Sequence, residues 1–367
     1  MTQDLAAQDA RALHQRADTT LEALDGILDG VCTELADTWK VRSPEPVDVL
    51  DADLPELLRS RLLPGAGKRV RPTMVHWGWV SAHGARDRRA HEVVARVGAA
   101  LELLHLFALV HDDVMDRSET RRGGATVHAQ AREAHKRSRG LGDAVAFGDG
   151  IAVLLGDLAL SEASVLVAGA PREVQGLWQE MLRELVHGQT LDLTAAAARR
   201  RDLAMARRIG RLKSGGYTIH RPLLIGAAIA GAPPAVRDAL STYGEHLGEA
   251  FAMRDDLLAV TGNPALTGKP VGDDLVAGKA TVAIAAARRL LPDAVSRRYF
   301  GPDGSVAPED VPTLQQLFVD WGVLDEIEER IDDEASSALE SLECEHLHPA
   351  GVAGLTEMVK VVAWRET

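Results

Sequence analysis

Asp112, Asp113 and Asp116 stand close together in the chain, and Arg121 and Arg122 follow just before Gly123-Gly124. Asp112 and Asp116 are spaced i, i+4 in a strongly helical run, so a helix there puts both carboxylates on one face, close enough to share a hard cation. Such oxygen donors suit magnesium, which takes one or two carboxylates and fills its shell with water and phosphate oxygens. The two glycines must break the helix, and the guanidinium groups can then turn back toward the carboxylates. Carboxylate, metal, phosphate and guanidinium alternate in charge in such an arrangement, which predicts a magnesium and diphosphate site. An isolated Asp-Asp-x-x-Asp would read as a solvated helix end whose acids and bases pair with one another. The arginine pair favours the site. Going backward along the same face, Ala108, His105 and Leu101 lead from a polar mouth into an apolar wall, a gradient that fits an amphiphilic substrate.

A second acidic region reads Phe251-Ala-Met-Arg-Asp255-Asp256-Leu-Leu-Ala259, and beyond it lie Lys269, Asp273, Asp274 and Lys279. Asp255 can present a carboxylate across a cavity to the first cluster, while Lys269 and Lys279 can neutralise phosphate oxygens as compact point charges. Asp273 and Asp274 lie in a Gly/Pro-rich stretch where Asp is common for turn reasons alone, so they rank below Asp255. Lys213-Ser214-Gly-Gly-Tyr217-Thr218 interrupts an apolar helix and sets a cation beside hydroxyls that could meet a diphosphate. Upstream, Gly65-Ala-Gly67-Lys68-Arg69-Val-Arg71-Pro72 joins a flexible loop, three bases and a helix-starting proline, and predicts a second anion pocket.

The elements that must position these residues are helical. The chain has 367 residues, is 46% hydrophobic and only 4% aromatic, and its Ala and Leu bias favours packed helices over sheets. Periodicity predicts helices over 13–35, 90–116, 148–168, 174–193, 203–230, 235–260 and 281–291, with breakers at 43–46, 123–124, 231–234 and 262–272 and no convincing strand. The basic stretch 132–139 reads as a solvated connection. One helical domain over 46–367 is expected, with 1–45 as an N-terminal helical extension that packs loosely on it.

A net charge of -13 argues against a nucleic-acid partner, so any anionic ligand must be met by local charge. Cys32 and Cys344 lack metal-ligand spacing and suit a reducing cytosol. The start of the chain is polar and acidic, without the pattern of a secretory signal. The stretch 222–236 reads as the longest apolar run and falls short of a membrane span.

The motifs GKRVRP, ELLHLFALVHDDVMDRSETRRGGATVH, KSGGYT and FAMRDDLLAVTGNPALTGKPVGDDLVAGK occur in this order, with Asp157 in a Leu-Leu-Gly-Asp run between them. Together they resemble the trans-isoprenyl diphosphate synthases, or polyprenyl synthetases. The resemblance implies an all-α bundle around a deep central cavity, with two diphosphate pockets that imply two substrates. It further implies that Asp112, Asp116 and Asp255 hold magnesium against an allylic diphosphate, with Asp113 and Asp256 in support. Arg121, Lys213, Ser214, Lys269 and Lys279 would hold that allylic diphosphate. Lys68, Arg71, His105 and Arg122 would hold isopentenyl diphosphate. The catalytic set is then Asp112, Asp113, Asp116, Arg121, Lys213, Asp255, Asp256 and Lys269, and a homodimer is implied.

The expected reaction is head-to-tail coupling of the two diphosphates with release of pyrophosphate. Ala108 leaves room for a growing tail, Phe107 is the single aromatic just upstream, and Leu101 and Leu104 lie deeper along the same helix. This pattern resembles makers of the twenty-carbon geranylgeranyl product more than strict fifteen-carbon farnesyl makers. Ala259 replaces the usual last Asp of the second motif and Ala252 a common Gln, which thins the second metal site. A cyclase of the same fold and a non-catalytic regulatory subunit are the alternatives.

Overall fold

The computed structural model describes residues 2–42, 49–63, 67–83, 87–121, 123–261, 272–302 and 304–365, with side chains from residue 17 onward. The chain forms two compact units, Met1–His76 with Ala85–Gln175, and Trp77–Gly84 with Gly176–Thr367. Neither boundary falls at the division after residue 45 expected from sequence.

The first unit holds α1 (Thr2–Arg42), α2 (Leu54–Leu62), most of α3 (Val70–Ser81), α4 (Arg88–Met115), the strands β1 (Thr120–Arg121) and β2 (Gly124–Ala125), α5 (Val127–Arg137), α6 (Ala144–Ala168) and the start of α7 (Arg172–Ala197). The all-α expectation holds, because β1 and β2 are the only strands among the described residues and form one small antiparallel pair. Side-chain caps start the helices where the sequence offers an Asp. Asp53 accepts from Glu56 N, Asp87 from Arg89 N and Ala90 N, and Asp143 from Val145 N and Ala146 N, each cap contributing about 1 kcal/mol.

Within α4, Val94, Val97, Leu101, Leu103 and Leu104 are completely buried, and each such burial stabilises the unit by about 2 kcal/mol. In α1, Thr20, Leu24, Leu28 and Cys32 recur every fourth residue and are buried as one stripe. The Thr20 hydroxyl bonds His76 Nδ1 at 2.8 Å and His91 Nε2 at 3.0 Å. The N-terminal helix is therefore part of the first unit's core, and the loose packing expected for it is not seen.

Two sequence expectations need correction. Residues 132–139 are no open connection: most of them belong to α5, which buries Val127, Ala131, Ala134 and His135 on one face. His135 Nε2 lies 3.1 Å from the Leu141 carbonyl. The charges of this stretch masked a face whose apolar positions are small. The run 222–236 is also not the longest apolar one. Both α4 and α6 are long and apolar enough to cross a membrane by length and composition. In α4 most of that surface is core, whereas α6 exposes Val145, Val153, Leu154 and Val165.

The second unit contains the rest of α7, then α8 (Leu203–Gly210), a π-helix (Arg211–His220) and α9 (Arg221–Ile229) as one continuous run. It continues with α10 (Pro234–Thr261), α11 (Asp273–Val276), α12 (Val282–Leu290), α13 (Asp293–Tyr299), α14 (Val311–Asp320), α15 (Val323–Glu340) and α16 (Pro349–Ala363). Tyr243 of α10 is fully buried and donates its hydroxyl to the Leu355 carbonyl at 2.7 Å. The KSGGYT segment does not interrupt its helix as expected but widens it into the π form, a distortion common at functional sites. Its close crossing with α10 depends on glycine: a Cβ on Gly215 would lie 2.1 Å from the Gly248 carbonyl oxygen.

Candidate active site

The first acidic motif occupies the end of α4. Asp116 is the C-cap, and its amide donates to the Asp112 carbonyl at 2.8 Å. The chain then turns into the β1–β2 pair, with Thr120 opposite Ala125 and Arg121 opposite Gly124, through Gly123 at φ +75°. A left-handed residue is needed at this turn, and glycine adopts it without a Cβ penalty. The hairpin folds Arg121 back as expected. Its Nε donates to Asp113 Oδ1 at 2.8 Å and Oδ2 at 3.0 Å, and its Nη2 lies 2.7 Å from Asp113 Oδ1 and 3.6 Å from Asp112 Oδ2.

These contacts divide the labour among the three aspartates. Asp113 is only 4% exposed and anchors the guanidinium. Asp112 and Asp116 are half-buried on the accessible face one turn apart, where their oxygens can receive a cation. Among the described residues no three His, Cys, Asp or Glu side chains converge as a ready-made ligand set.

Nearby, Arg61 of α2 donates to Gln130 Oε1 at 2.6 Å. Its burial pulls its pKa below the usual guanidinium range, and the Asp113 carboxylate opposes that shift. Sequence reasoning did not single out Arg61, because nothing local marks it.

The three bases of GKRVRP separate. Lys68 is exposed and Arg71 buried. Arg69 turns inward at φ +48° and bridges Glu102 of α4 at 2.6 Å and Asp25 of α1 at 2.9 Å. It works as an anchor that fixes the backbone between Lys68 and Arg71. His105 is half-buried on α4, while Arg122 lies outside the described residues.

Of the residues expected to bear on product length, Leu101 and Leu104 are completely buried in the core, whereas Phe107 and Ala108 are half-buried. The Phe107 ring packs against His111 at 4.6 Å, and His111 Nε2 lies 3.9 Å from Asp157 Oδ1.

In the second unit, Lys213 projects from the π-helix and its Nζ donates to Asp192 Oδ2 of α7 at 2.7 Å. Ser214 is half-buried beside it. Asp255 of α10 is exposed, and Arg365, in the segment after α16, pairs with it. Asp256 points inward, where Oδ2 accepts from Val282 N at the start of α12 at 2.8 Å. Burial pushes its pKa up to about 8; Asp274, Asp255 and Asp192 add repulsion, and the Val282 bond opposes the shift.

Asp273 and Asp274 are not in an irregular loop but open the one-turn helix α11, and Asp274 Oδ1 lies 3.3 Å from Lys279 Nζ. Lys269 falls outside the described residues. Ala252 is buried, and a Cβ added to Gly210 of α8 would come within 3.0 Å of its Cβ. The tight α8–α10 contact explains a small residue there. Asp192 was missed, although its four-residue spacing from Gly188 in Gly188-Gln-Thr-Leu-Asp192 could have flagged a helix face carrying an acid.

A profile of the polyprenyl synthetase family matches residues 56–304. The chain belongs to the polyprenyl synthetase family. Membership makes it a trans-prenyltransferase. It is 32% identical over 283 residues to a geranylfarnesyl diphosphate synthase of Aeropyrum pernix, covering 73% of this chain and 80% of that protein. It is 36% identical over 223 residues to a (2E,6E)-farnesyl diphosphate synthase of Mycobacterium tuberculosis, covering 59% of this chain and 56% of that protein.

Among solved structures, a Corynebacterium glutamicum geranylgeranyl pyrophosphate synthase, complexed with isoprenyl diphosphate and magnesium, superposes with a TM-score of 0.82 at 32% identity. The match covers 94% of this chain and 99% of that one. The matched family region contains both acidic motifs, GKRVRP and KSGGYT. The isoprenoid synthase fold expected from the resemblance is thereby shared.

Proposed function

We propose that this polyprenyl synthetase condenses isopentenyl diphosphate with an allylic diphosphate, head-to-tail, releasing pyrophosphate and giving geranylgeranyl or farnesyl diphosphate. The observation that carries this reading is the end of α4, where Asp112 and Asp116 share one face and the hairpin returns Arg121 to within 3.6 Å of Asp112. Asp112, Asp116 and Asp255 would hold magnesium, which when bound would supply charge neutralisation to the departing diphosphate. Arg121, Lys213, Ser214, Lys269 and Lys279 orient the allylic diphosphate and stabilise the same charge. Lys68, Arg71, His105 and Arg122 hold isopentenyl diphosphate.

As the allylic carbon-to-oxygen bond breaks, both electrons leave with the diphosphate and an allylic cation remains. The isopentenyl double bond attacks that cation, and loss of a proton to the released pyrophosphate restores a double bond. No protein nucleophile takes part. Asp113 keeps Arg121 in place, and the apolar residues behind Ala108 exclude water from the cation. Phe107 and Ala108 meet the growing tail first, with Leu104 and Leu101 beyond them.

A homodimer is supported by the apolar side chains that α6 leaves exposed, Val153, Leu154 and Val165 among them, and sedimentation equilibrium tests it. The free cysteines Cys32 and Cys344 support a cytoplasmic location. The deciding experiment incubates the protein with magnesium, isopentenyl diphosphate and dimethylallyl, geranyl or farnesyl diphosphate, and identifies the products by chain length. The expected result is the twenty-carbon prenyl diphosphate as the main species, read as its alcohol after phosphatase treatment. No pyrophosphate release with any primer, or a hydrocarbon formed from geranylgeranyl diphosphate alone, overturns the assignment.

A further inference from the structure

Asp192, Asp255, Asp256 and Asp274 of the second unit each have a cation or a donor of their own. Asp192 is held by Lys213 at 2.7 Å, Asp274 by Lys279 at 3.3 Å, and Asp256 by the Val282 amide at 2.8 Å. Asp255 is held by Arg365. Lys213 and Lys279 are cations that the proposed function gives to a diphosphate. Arg365 has the same relation to its acid and has no role in that account.

Arg365 is also placed by more than its ion pair. Arg254 Nε donates to the Ala363 carbonyl at 2.6 Å while its other nitrogens hold Glu328 at 2.7 and 2.6 Å. Trp364 Nε1 donates to Asp332 Oδ1 at 2.7 Å. The end of α16 and the residue after it are thus tied to α10 and α15. The Arg365 guanidinium then lies over the Phe251 ring, 4.7 Å from its centroid, and Phe251 and Asp255 are one turn apart on α10. A cation held over an aromatic face gains attraction from the ring.

Two features show that the guanidinium has capacity left for an anion. Its Nε is buried and has no hydrogen-bond partner, and a buried donor without an acceptor is costly. Asp255 keeps 45% of its side chain exposed, against 14% for Arg365, so the carboxylate can take a cation from the open side while the arginine stays beside it. Carboxylate, metal, phosphate and guanidinium would then alternate in the same way as proposed for the first motif.

We propose that Arg365 is a further diphosphate-binding residue: it holds Asp255 while the site is empty and passes to a phosphate oxygen when magnesium engages that carboxylate. The inference rests on the magnesium role given to Asp255 under the proposed function. The ligand class is a magnesium-bound diphosphate, either the substrate headgroup or released pyrophosphate.

The test is calorimetric titration of inorganic pyrophosphate into the full chain at fixed magnesium, for the wild type, Arg365→Gln, Arg365→Lys and Asp255→Asn, with unfolding midpoints to show that each variant is folded. The expected result is about tenfold weaker pyrophosphate binding in Arg365→Gln, the effect of losing one charge-assisted contact, with part of it restored in Arg365→Lys. Unchanged binding in Arg365→Gln means that the arginine only pins the chain, and tighter binding means that it only blocks Asp255; either overturns the proposal. If Asp255→Asn weakens magnesium-dependent binding while Arg365→Gln does not, the proposed function stands and this inference alone fails. If neither variant changes binding, the magnesium role of Asp255 fails with it.

Discussion

Replacing Asp113 and Asp112 one at a time by alanine separates support from chemistry within one motif. Asp113 is 4% exposed and receives three close contacts from Arg121, at 2.7, 2.8 and 3.0 Å. Removing one partner of a buried ion pair costs roughly 3–5 kcal/mol, because the other charge is left without compensation. Arg121 keeps 17% side-chain exposure and a 3.6 Å approach to Asp112, which lowers the expected loss for Asp113→Ala to about 2–3 kcal/mol.

The approach of Asp112 to Arg121 is longer, at 3.6 Å, than those of Asp113, so Asp112→Ala should cost less stability, about 1 kcal/mol from that pair. Its catalytic cost is much larger. Loss of a group that stabilises developing charge lowers turnover roughly 100- to 1000-fold, or about 2.7–4 kcal/mol of activation free energy. Urea unfolding followed by circular dichroism reads the first quantity, and pyrophosphate release reads the second. Equal destabilisation by the two variants, or near-normal turnover in Asp112→Ala, would refute this division of roles.

Gly215→Ala places a Cβ 2.1 Å from the Gly248 carbonyl oxygen, a backbone clash that should cost about 3 kcal/mol or more. Its thermal midpoint should fall clearly below that of the wild type, and an unchanged midpoint would contradict the crossing of the π-helix with α10. His220 is pushed down to about 4, chiefly by burial, with Arg221 adding to the shift, whereas an unfolded histidine titrates near 6.5. The unfolded state then binds the proton first as pH falls, so this contribution is intact above about 6.5 and lost between about 6.5 and 4 at roughly 1.4 kcal/mol per pH unit. Comparing His220→Gln with the wild type by urea unfolding at pH 7 and pH 5 checks it: the variant should lose less stability over that interval.

The first acidic motif was legible because its geometry is local. The i, i+4 spacing of Asp112 and Asp116 and the two glycines after Arg122 all lie within the short stretch from Asp112 to Gly124, and the hairpin returns Arg121 as that spacing implies. The main helices were legible for the same reason, since their apolar stripes follow one period. α5 was not, because its buried residues are Val127, His128, Ala129, Ala131, Ala134 and His135, mostly small or polar residues that give little contrast against a charged exterior. The pairing of Asp192 with Lys213, the inward turn of Arg69 toward Asp25 and Glu102, and the approach of Arg365 to Asp255 all join residues distant in sequence.

The amino-acid sequence alone thus determined the helical class, the family and the first acidic motif, since each depends on residue type and short spacing. Only the tertiary structure decided which charged residue of each motif is spent on support. Asp113, Arg69 and Asp256 differ little in type from their neighbours Asp112, Lys68 and Asp255. Burial and a partner from another element make them anchors, and no local pattern specifies which side of a motif the rest of the chain will cover.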